Sequence, residues 1–341
     1  MKLPSNPRVA VVGATGAVGR VMLEILAQRD FPASEVVAIA SARSAGRELP
    51  FNGSFLTVRA LERDVFEGVD LVLLDTPDEV AAEWAPVARD EGAIVVDNSA
   101  AWRADPEVPL VVPEANPEAV FSHKGIIASP NCVTIGVVVP MAPLHRRYGL
   151  KQMIVSTYQA TSGAGKGGVE ELAEQSLKLV NEMEALGSGG GADIAPQPQV
   201  FVAPIAFNVL PAVGRVREGG STGEELKLLT ETSKILSIPD LQALATCVRV
   251  PTVVGHGSSV FAHFSEPVDL EEAKRLLAEA SGVEMNDVPN PMAVAGTDAC
   301  VVGRVRSVDF DPNALSFFTV SDNLRKGAAL NTVQIAELLL S

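Results

Sequence analysis

One cysteine stands where the chain passes from an apolar run into a helix, a position that suits a nucleophile. The segment Ser129-Pro130-Asn131-Cys132-Val133-Thr134 follows Ile126-Ile127-Ala128 and precedes a helical stretch. Because Pro130 ends the strand, the Cys132 thiol is expected at a helix N-terminus, which lowers a thiol pKa and favours the thiolate. The sequence therefore predicts a nucleophilic Cys132, while a buried cysteine that only fills space is the common alternative.

The remaining cysteines, the net charge and the distribution of apolar residues limit the class of protein. Cys247 and Cys300 lie in strand-like apolar runs and fit a structural role, and no cysteine spacing indicates a metal site. Three cysteines, an odd number, fit a reducing cytoplasm better than a disulfide framework. The net charge of −15 argues against a nucleic-acid partner. The N-terminus lacks a signal-peptide pattern and no apolar run approaches a membrane span, so no membrane partner is expected.

A glycine-rich turn near the N-terminus predicts a dinucleotide site. Gly13-Ala14-Thr15-Gly16-Ala17-Val18-Gly19 lies between a strand at Val9–Val12 and a helix at Val18–Gln28. Glycines let the backbone approach a pyrophosphate, and the helix N-terminus offers N–H groups to it. A tight turn without a ligand is the alternative. The predicted contacts within this turn are Gly13, Thr15, Gly16, Ala17 and Val18.

The end of the second strand indicates which dinucleotide binds. An NAD site usually carries Asp or Glu there, to accept from the ribose 2′-OH. Here the strand at Val36–Ala40 runs into Ser41-Ala42-Arg43-Ser44, which contains no acid. We therefore expect NADP, with Ser41, Arg43 and Ser44 near the 2′-phosphate. A solvated Arg43 with no ligand is the alternative.

Alternating strands and helices up to about residue 130 predict a Rossmann-type, doubly wound parallel sheet. The second half is predicted to be α+β, with a mixed or antiparallel sheet and a Gly/Pro/Ser-rich loop at Leu186–Gln199. The predicted strands beyond those named above are Val69–Leu74, Ala93–Val96, Lys151–Ala160, Ala243–Val250, Ser258–Phe264, Ala299–Val308 and Ser316–Val320. The predicted helices are Glu79–Asp90, Thr134–Tyr148 (interrupted by Pro140 and Pro143), Gly168–Glu184, Thr222–Leu236 and Leu324–Leu340.

Several motifs in a fixed order carry a resemblance to a known family. Besides the glycine turn and the Cys132 segment, they are Asp97-Asn98-Ser99-Ala100-Ala101-Trp102-Arg103, Thr157-Tyr158-Gln159-Ala160-Thr161-Ser162-Gly163-Ala164-Gly165, Ala245-Thr246-Cys247-Val248-Arg249-Val250-Pro251 and Asp322-Asn323-Leu324-Arg325-Lys326-Gly327-Ala328-Ala329. From about residue 8 to 340 the chain resembles the aspartate-semialdehyde dehydrogenase family. The resemblance implies a reversible, NADPH-dependent reductive dephosphorylation of β-aspartyl phosphate to aspartate semialdehyde. That reaction serves lysine (through diaminopimelate), methionine and threonine biosynthesis.

The resemblance also implies roles for the residues around the nucleophile. Cys132 would attack the acyl phosphate, release inorganic phosphate and hold the acyl group as a thioester. His256 would be the general acid/base, which suits an imidazole that titrates near neutrality. Gln159 would orient the substrate beside the thioester, and Asn131 would shape the same pocket.

Charged residues that match the family would hold the substrate. Arg249 would clamp the α-carboxylate, which a guanidinium fork suits. Glu224 would meet the α-amino group, and Arg103 and Lys227 would bind phosphate. Without the resemblance, Glu224 and Lys227 would be an ordinary surface pair three residues apart on a helix. Ser162, Gly163 and Asn323 match cofactor-side positions.

The resemblance completes the predicted architecture. We expect a cofactor-binding domain over 1–131, a catalytic and dimerisation domain over 132–322, and a C-terminal helix over 323–341 that returns to the first domain. A homodimer or homotetramer is expected.

Two stretches depart from the family pattern. Asp75-Thr76-Pro77-Asp78 replaces a small Ser/Gly loop near the nicotinamide, so the loop is expected either to turn outward or to weaken cofactor binding. Gly257-Ser258-Ser259 lacks the acid that often follows the histidine by two residues. Two other interpretations stay open: an enzyme like N-acetyl-glutamyl-phosphate reductase, and a non-catalytic paralogue.

Overall fold

Short runs of β-branched and apolar residues alternate with amphipathic helices in the first 130 residues. The structure, a computed structural model, describes residues 2–340 apart from the side chain of Ala192, so the outermost ends of the predicted domains, Met1 and Ser341, lie outside it. The elements of this half are β1 (Arg8–Val12), α1 (Ala17–Gln28), β2 (Glu35–Ala40), β3 (Glu48–Phe51), β4 (Ser54–Thr57), β5 (Arg59–Ala60), β6 (Leu71–Leu74), α2 (Asp78–Asp90), β7 (Ile94–Asp97) and β8 (Ile126–Ala128).

Six of these strands form one parallel sheet in the order β5-β2-β1-β6-β7-β8. The strand order reverses between β1 and β6, which is the switch point where doubly wound sheets bind ligands. The central strands β1, β6 and β7 are buried on both faces, as near-continuous apolar sequences require. The predicted Rossmann-type architecture is confirmed.

The second half forms a mixed sheet in the order β10-β9-β11-β14-β13-β12, with helices α3, α7 and α8 against one face. Its elements are α3 (Cys132–Tyr148), β9 (Leu150–Gln159), α4 (Gly165–Leu179), α5 (Met183–Gly187), α6 (Gly191–Ile194), α7 (Gly223–Leu236), β10 (Gln242–Arg249), β11 (His256–Phe264), α8 (Leu270–Glu279), β12 (Val283–Met285), α9 (Pro291–Val294), β13 (Cys300–Val308), β14 (Asp311–Ser321) and α10 (Leu330–Leu339).

Helix α3 corrects one prediction, because Pro140 and Pro143 do not interrupt it. It runs without a break from Cys132 to Tyr148, and most of its residues are buried. Each proline removes one helical hydrogen bond, but α3 packs against the second sheet and belongs to the apolar core that continues through both halves. Tertiary packing, rather than propensity, therefore stabilises the helix that carries Cys132.

The end of the chain returns to the first sheet, as predicted. A π-helix at Arg325–Ala329 leads into α10, which packs against α1. Leu340 bridges to Leu3, and Arg29 pairs with Glu337 at 2.6 Å. The domain boundaries at 131/132 and 322/323 stay predictions.

Smaller differences follow from local sequence. The predicted helix Gly168–Glu184 breaks after Leu179, and the predicted loop Leu186–Gln199 contains the single turn α6. The β3–β4 hairpin and α8 were not predicted, although Asp269 caps α8 by accepting from the Glu272 N–H at 2.8 Å. Among residues 2–340, no helix is long and apolar enough to cross a membrane.

Candidate functional site

Cys132 is the first residue of α3, where the sequence placed it. Asn131 caps the helix, because its Oδ1 accepts from the Val133 N–H at 2.9 Å. The π-helix closes over the other side: a Cβ atom at Gly327 would lie only 2.9 Å from the Cβ of Cys132. Glycine at 327 therefore lets the C-terminal segment approach the nucleophile.

Strand topology explains why distant residues converge beside Cys132. Strands β9 and β10 are parallel, so their last residues, Gln159 and Arg249, are register partners. Strand β11 runs antiparallel to β9 and starts at the same edge with His256. A cavity of about 400 Å³ lies there. It is lined by Asp78, Asn98, Ser99, Ala100, Arg103, Asn131, Cys132, Gln159, Gly163, Ala164, Val213, Gly214, Glu224, Lys227, Arg249 and His256.

All eight residues predicted for catalysis and substrate binding thus line one cavity. Glu224 Oε1 accepts from Asn131 Nδ2 at 2.8 Å, and Lys227 Nζ lies 3.8 Å from Glu224 Oε2. Gln159 is buried and donates through Nε2 to Thr157 Oγ1 at 3.2 Å. The surface pair that the bare sequence suggests is therefore part of the cavity wall.

Arg249 is a buried guanidinium that forms no ion pair within the described chain. It donates to the Ala160 carbonyl at 2.6 Å and lies 5.9 Å from the centre of the Phe201 ring. Burial lowers its pKa, opposed by the charges of Cys132 and Glu224. A buried guanidinium without a carboxylate partner is costly, so this group is suited to bind an anionic ligand.

Arg103 is held by a backbone carbonyl and by one ion pair. It donates through Nη2 to the Asn98 carbonyl at 2.7 Å, and its Nη1 lies 3.4 Å from Glu231 Oε1. Its Nε is buried and has no partner among residues 2–340. Sequence reasoning missed Glu231, whose other oxygen accepts from the Asn131 N–H at 2.7 Å. Only the fold brings Arg103, Glu231 and Asn131 together.

The Asp75–Asp78 segment turns inward and holds the loop that leads to Arg103. Asp75 Oδ1 accepts from Asn98 Nδ2 at 2.9 Å, and Asp78 Oδ1 accepts from the Ala100 N–H at 2.8 Å. Burial raises the pKa of Asp75, while Asn98 and Arg103 lower it. The outward turn suggested by the sequence is wrong, because both carboxylates have polar partners on the neighbouring loop.

The neighbouring Asp97 completes this loop. Its two oxygens accept from the Ser99 N–H and Oγ–H at 3.0 and 2.7 Å. Burial raises the pKa of Asp97 to about 6, although both Ser99 hydrogen bonds oppose the rise. Asp97 and Ser99 are further site-supporting residues that the sequence reasoning did not single out.

His256 corrects the expectation of an imidazole that titrates near neutrality. Burial lowers its pKa to about 3, and the positive charge of Arg249 acts in the same direction. Nδ1 accepts from the Ala160 N–H at 3.0 Å, so the proton of the neutral ring lies on Nε2. Nε2 is buried without a partner among residues 2–340 and is free to donate to a ligand.

The loop around His256 is held by Asn323. The family often has an acid two residues after the histidine, and Ser258 stands at that position here. Asn323 Oδ1 accepts from the Gly255 N–H at 2.8 Å, and Asn323 Nδ2 donates to Ser162 Oγ at 2.9 Å. Gly163 lies close by: a Cβ there would lie 2.7 Å from Nη1 of Arg249 and 3.0 Å from Nε2 of His256. Ser162 and Asn323, predicted on the cofactor side, therefore brace the histidine loop.

The prediction of a lowered Cys132 pKa is wrong for the unliganded protein. Burial raises the pKa of this thiol to about 12, with Glu224 adding to the rise and Arg103 and Arg249 opposing it. The helix N-terminus is present, but it does not outweigh the loss of water around the thiol.

The glycine turn fits a dinucleotide pyrophosphate. Gly13 has φ +89°, and a Cβ there would lie 1.9 Å from the Asp75 carbonyl oxygen. Gly16 precedes α1, whose first turn contains no acid and whose start has no side-chain cap, leaving N–H groups available. Ala17 is exposed, and Thr15 and Val18 are half-buried. The residues therefore fit the group that the sequence predicts.

Residues after β2 divide into exposed and buried positions. Ser41 and Arg43 are exposed, and Arg43 has no ion pair within the described part of the chain. Ser44 is buried, and its N–H donates to the Ser41 carbonyl at 2.8 Å. Arg43 is thus the one of the three with a free charged side chain.

Known proteins resemble this chain along nearly its whole length. Residues 8–123 match the family described as semialdehyde dehydrogenase, NAD binding domain, and residues 141–326 match semialdehyde dehydrogenase, dimerisation domain. Proteins named aspartate-semialdehyde dehydrogenase from Streptomyces akiyoshiensis and Mycolicibacterium smegmatis are 48% and 47% identical, each over 97% of this chain and 98% of their own. The crystal structure of aspartate semialdehyde dehydrogenase II complexed with ASA from Vibrio cholerae aligns with a TM-score of 0.93, at 39% identity and 99% coverage of both chains.

Proposed function

This chain belongs to the aspartate-semialdehyde dehydrogenase family, and we propose that it reduces β-aspartyl phosphate reversibly to aspartate semialdehyde with NADPH. The product would enter lysine, methionine and threonine biosynthesis. The observation that carries the proposal is the cavity in which the Cys132 thiol meets two guanidinium groups: that of Arg249 has no carboxylate partner among residues 2–340, and that of Arg103 has a single long contact to Glu231 and an Nε without a partner there.

Cys132 performs the covalent step. Its Sγ forms a bond to the acyl carbon as the bond from that carbon to the phosphate oxygen breaks, so inorganic phosphate leaves with the thiol proton and a thioester remains. The nicotinamide cofactor, when bound, supplies the hydride for reduction or accepts it in the reverse direction. Arg249 holds the substrate carboxylate, Glu224 the amino group, and Arg103 with Lys227 the phosphate.

His256 is placed to stabilise charge on the acyl oxygen. With Nδ1 accepting from the Ala160 N–H, the neutral imidazole presents Nε2–H to the cavity. Donation from Nε2 stabilises the negative charge that develops on oxygen during addition to the thioester. The acid/base role implied by the family requires the ring to leave Ala160. His256→Gln, which keeps an N–H donor, is expected to retain more activity than His256→Ala; equal loss in kcat would contradict the donor role.

Gln159 and Asn131 orient the reacting groups. Gln159 is fixed at the end of β9, and Asn131 is held by Glu224 next to the nucleophile. Both amides border the cavity that contains Cys132. They can therefore position the acyl group, which is the role that the family resemblance implies.

We infer a preference for NADP over NAD. Arg43 is exposed after β2 and no acid is present to accept from a ribose 2′-OH. Gly13, Thr15, Gly16, Ala17 and Val18 would hold the pyrophosphate. Ser41 and Ser44 flank Arg43, and Ser162, Gly163 and Asn323 border the catalytic end.

The test is an assay of phosphate-dependent NADP reduction with aspartate semialdehyde. The proposal predicts turnover that requires both the aldehyde and phosphate. A protein inactive on this aldehyde but active on the N-acetylated glutamate analogue would overturn the substrate assignment. That alternative is not favoured, because the curated relatives cover nearly the whole chain. Activity with aspartate semialdehyde would also exclude a non-catalytic paralogue.

A homodimer or homotetramer is proposed, joined through the second sheet. The sheet face away from α3 exposes apolar side chains, with Ile154 at 51%, Tyr158 at 40% and Leu244 at 64%. Ile154 and Leu244 are register partners on adjacent strands, so they form one patch of the kind that marks interfaces. Sedimentation should give a dimer or larger species that Leu244→Glu dissociates; a monomeric wild-type protein would contradict this.

A cytoplasmic location is also proposed. Cys132, Cys247 and Cys300 are all free thiols, which suits a reducing compartment. Cell fractionation tests it, and recovery in an oxidising compartment would contradict it.

A further inference from the structure

We propose that Glu231 is a positioning residue that couples the phosphate-binding Arg103 to the nucleophile segment. The inference rests on the proposed function, since it takes Arg103 as part of the phosphate site. Glu231 does not itself line the cavity; it acts through two residues that do, Arg103 and Asn131.

One carboxylate bridges two segments that are far apart in sequence. Oε2 of Glu231 accepts from the Asn131 N–H at 2.7 Å, next to Cys132, while Oε1 lies 3.4 Å from Nη1 of Arg103. Glu231 is only 4% exposed. A buried carboxylate needs such partners to offset its lost hydration, so the bridge constrains both segments.

Helix α7 applies the constraint from a single face. Glu224 and Glu231 are seven residues apart, about two turns, and both contact Asn131, one through the side chain and one through the backbone. Lys234 follows on the same helix and donates to the carbonyls of Arg103, Asp105 and Val108 at 3.0, 2.7 and 2.8 Å. The helix therefore fixes the Arg103 segment and the start of α3 together.

The geometry orients Arg103 without using up its hydrogen-bonding capacity. The contact between Nη1 and Oε1 is long and single, not a two-bond fork, and Nε stays without a partner among the described residues. A guanidinium in this state keeps donors for an anion. Glu231 thus sets the direction in which the guanidinium of Arg103 offers its donors to phosphate, relative to the Cys132 thiol.

A double-mutant cycle tests this coupling. The variants are Glu231→Gln, Arg103→Ala and the pair, with Glu174→Gln, an exposed carboxylate on α4, as the charge-matched control. Gln keeps an oxygen for the Asn131 N–H but loses the negative charge that faces Arg103. We expect the phosphate KM to rise about tenfold in Glu231→Gln, and by less than about twofold when Arg103 is already alanine, because coupled residues are not additive.

The control should match the wild-type protein. Equal effects of Glu231→Gln in both backgrounds, or a fall in kcat with the phosphate KM unchanged, would overturn the coupling and leave Glu231 a structural residue. If Glu231→Gln does not fold, as judged by its thermal midpoint, the same cycle is run with Glu231→Asp, which keeps the charge but cannot span both partners; the phosphate KM is then expected to rise more with Arg103 present than with alanine at 103, and equal rises would overturn the coupling.

A calorimetric titration with inorganic phosphate separates this inference from the proposed function, because it needs no turnover. A protein that binds phosphate but does not oxidise aspartate semialdehyde refutes the proposed function, and the binding cycle still decides the role of Glu231. Wild-type protein that binds no phosphate refutes both.

Discussion

The glycine turn at Gly13–Gly19 and the cavity around Cys132 are built in different ways. The turn is built from consecutive residues, and its contribution comes from the backbone at a helix start. The cavity is assembled from side chains between positions 78 and 256, and its charged groups range from the buried Arg249 to the exposed Asp78. A local motif can therefore be recognised in a sequence, whereas the properties of the cavity depend on the fold.

The Cys132 thiol shows the size of that dependence. A helix N-terminus stabilises a nearby negative charge by about 0.3–1 kcal/mol. The rise of the thiol pKa from 9.0 to about 12 corresponds to roughly 4 kcal/mol in favour of the protonated form. Burial therefore outweighs the helix N-terminus and favours the protonated Cys132 thiol.

The largest expected effect separates the nucleophile from a buried neighbour. Cys132→Ala should lower kcat by at least about a thousandfold, with NADP affinity changed little because the glycine turn lies elsewhere. Cys247→Ala, at a buried strand position, is the control and should keep turnover. Steady-state kinetics and cofactor titration check this prediction. Activity that survives Cys132→Ala would contradict the assignment of Cys132 as the nucleophile.

Gly163 tests whether the cavity tolerates a single methyl group. Alanine at 163 would crowd Arg249 and His256, at 2.7 and 3.0 Å, so we expect kcat/KM to fall about tenfold or more. Gly187→Ala, where a Cβ would meet nothing within 4 Å, should be neutral. Unchanged kinetics for Gly163→Ala would show that the two side chains are not held as described.

Glu224 tests how strongly a charge in the cavity affects the pKa of Cys132. Its charge raises the pKa of Cys132, so Glu224→Gln should lower that pKa and speed alkylation of Cys132 about tenfold at fixed pH. In the wild-type protein without ligands, the rate should rise about tenfold for each pH unit from 7 to 9, since the thiolate fraction does. Rapid alkylation that is already constant at pH 7 would contradict a raised pKa.

Arg43 gives the smallest expected effect, because it is exposed on the cofactor side. Arg43→Ala should raise KM for NADP about fivefold, an effect typical of an exposed charged contact, and leave KM for NAD unchanged. Arg47→Ala, another exposed arginine nearby, is the control. Equal use of NAD and NADP by the wild-type protein would contradict the proposal that Arg43 selects NADP.

Particular residues show what the sequence could predict. Val9–Val12, the glycines and the helix after them form one local pattern, so the first sheet and its loop were predictable. Cys132 was predicted from its position at a helix start, Gln159, Arg249 and His256 through motif resemblance, and strand topology brings the last three to one edge of the sheet.

Other features had no local signal. Glu231 looks like any helical carboxylate until the fold places it between Arg103 and Asn131, 128 and 100 residues away. The pKa values of His256 and Asp97 depend on burial by segments distant in sequence. Asp75 was predicted to disfavour cofactor binding, because its hydrogen-bond partner, Asn98, cannot be recognised from the loop sequence.

Mass spectrometry of the trapped acyl-enzyme tests the role of Cys132 most directly. The protein is mixed with aspartate semialdehyde and NADP without phosphate, quenched in acid and digested. We predict one aspartyl group attached to the peptide that contains Cys132, lost when phosphate is added before the quench. An active protein with no adduct, or with the adduct on Cys247 or Cys300, would contradict the assignment of Cys132.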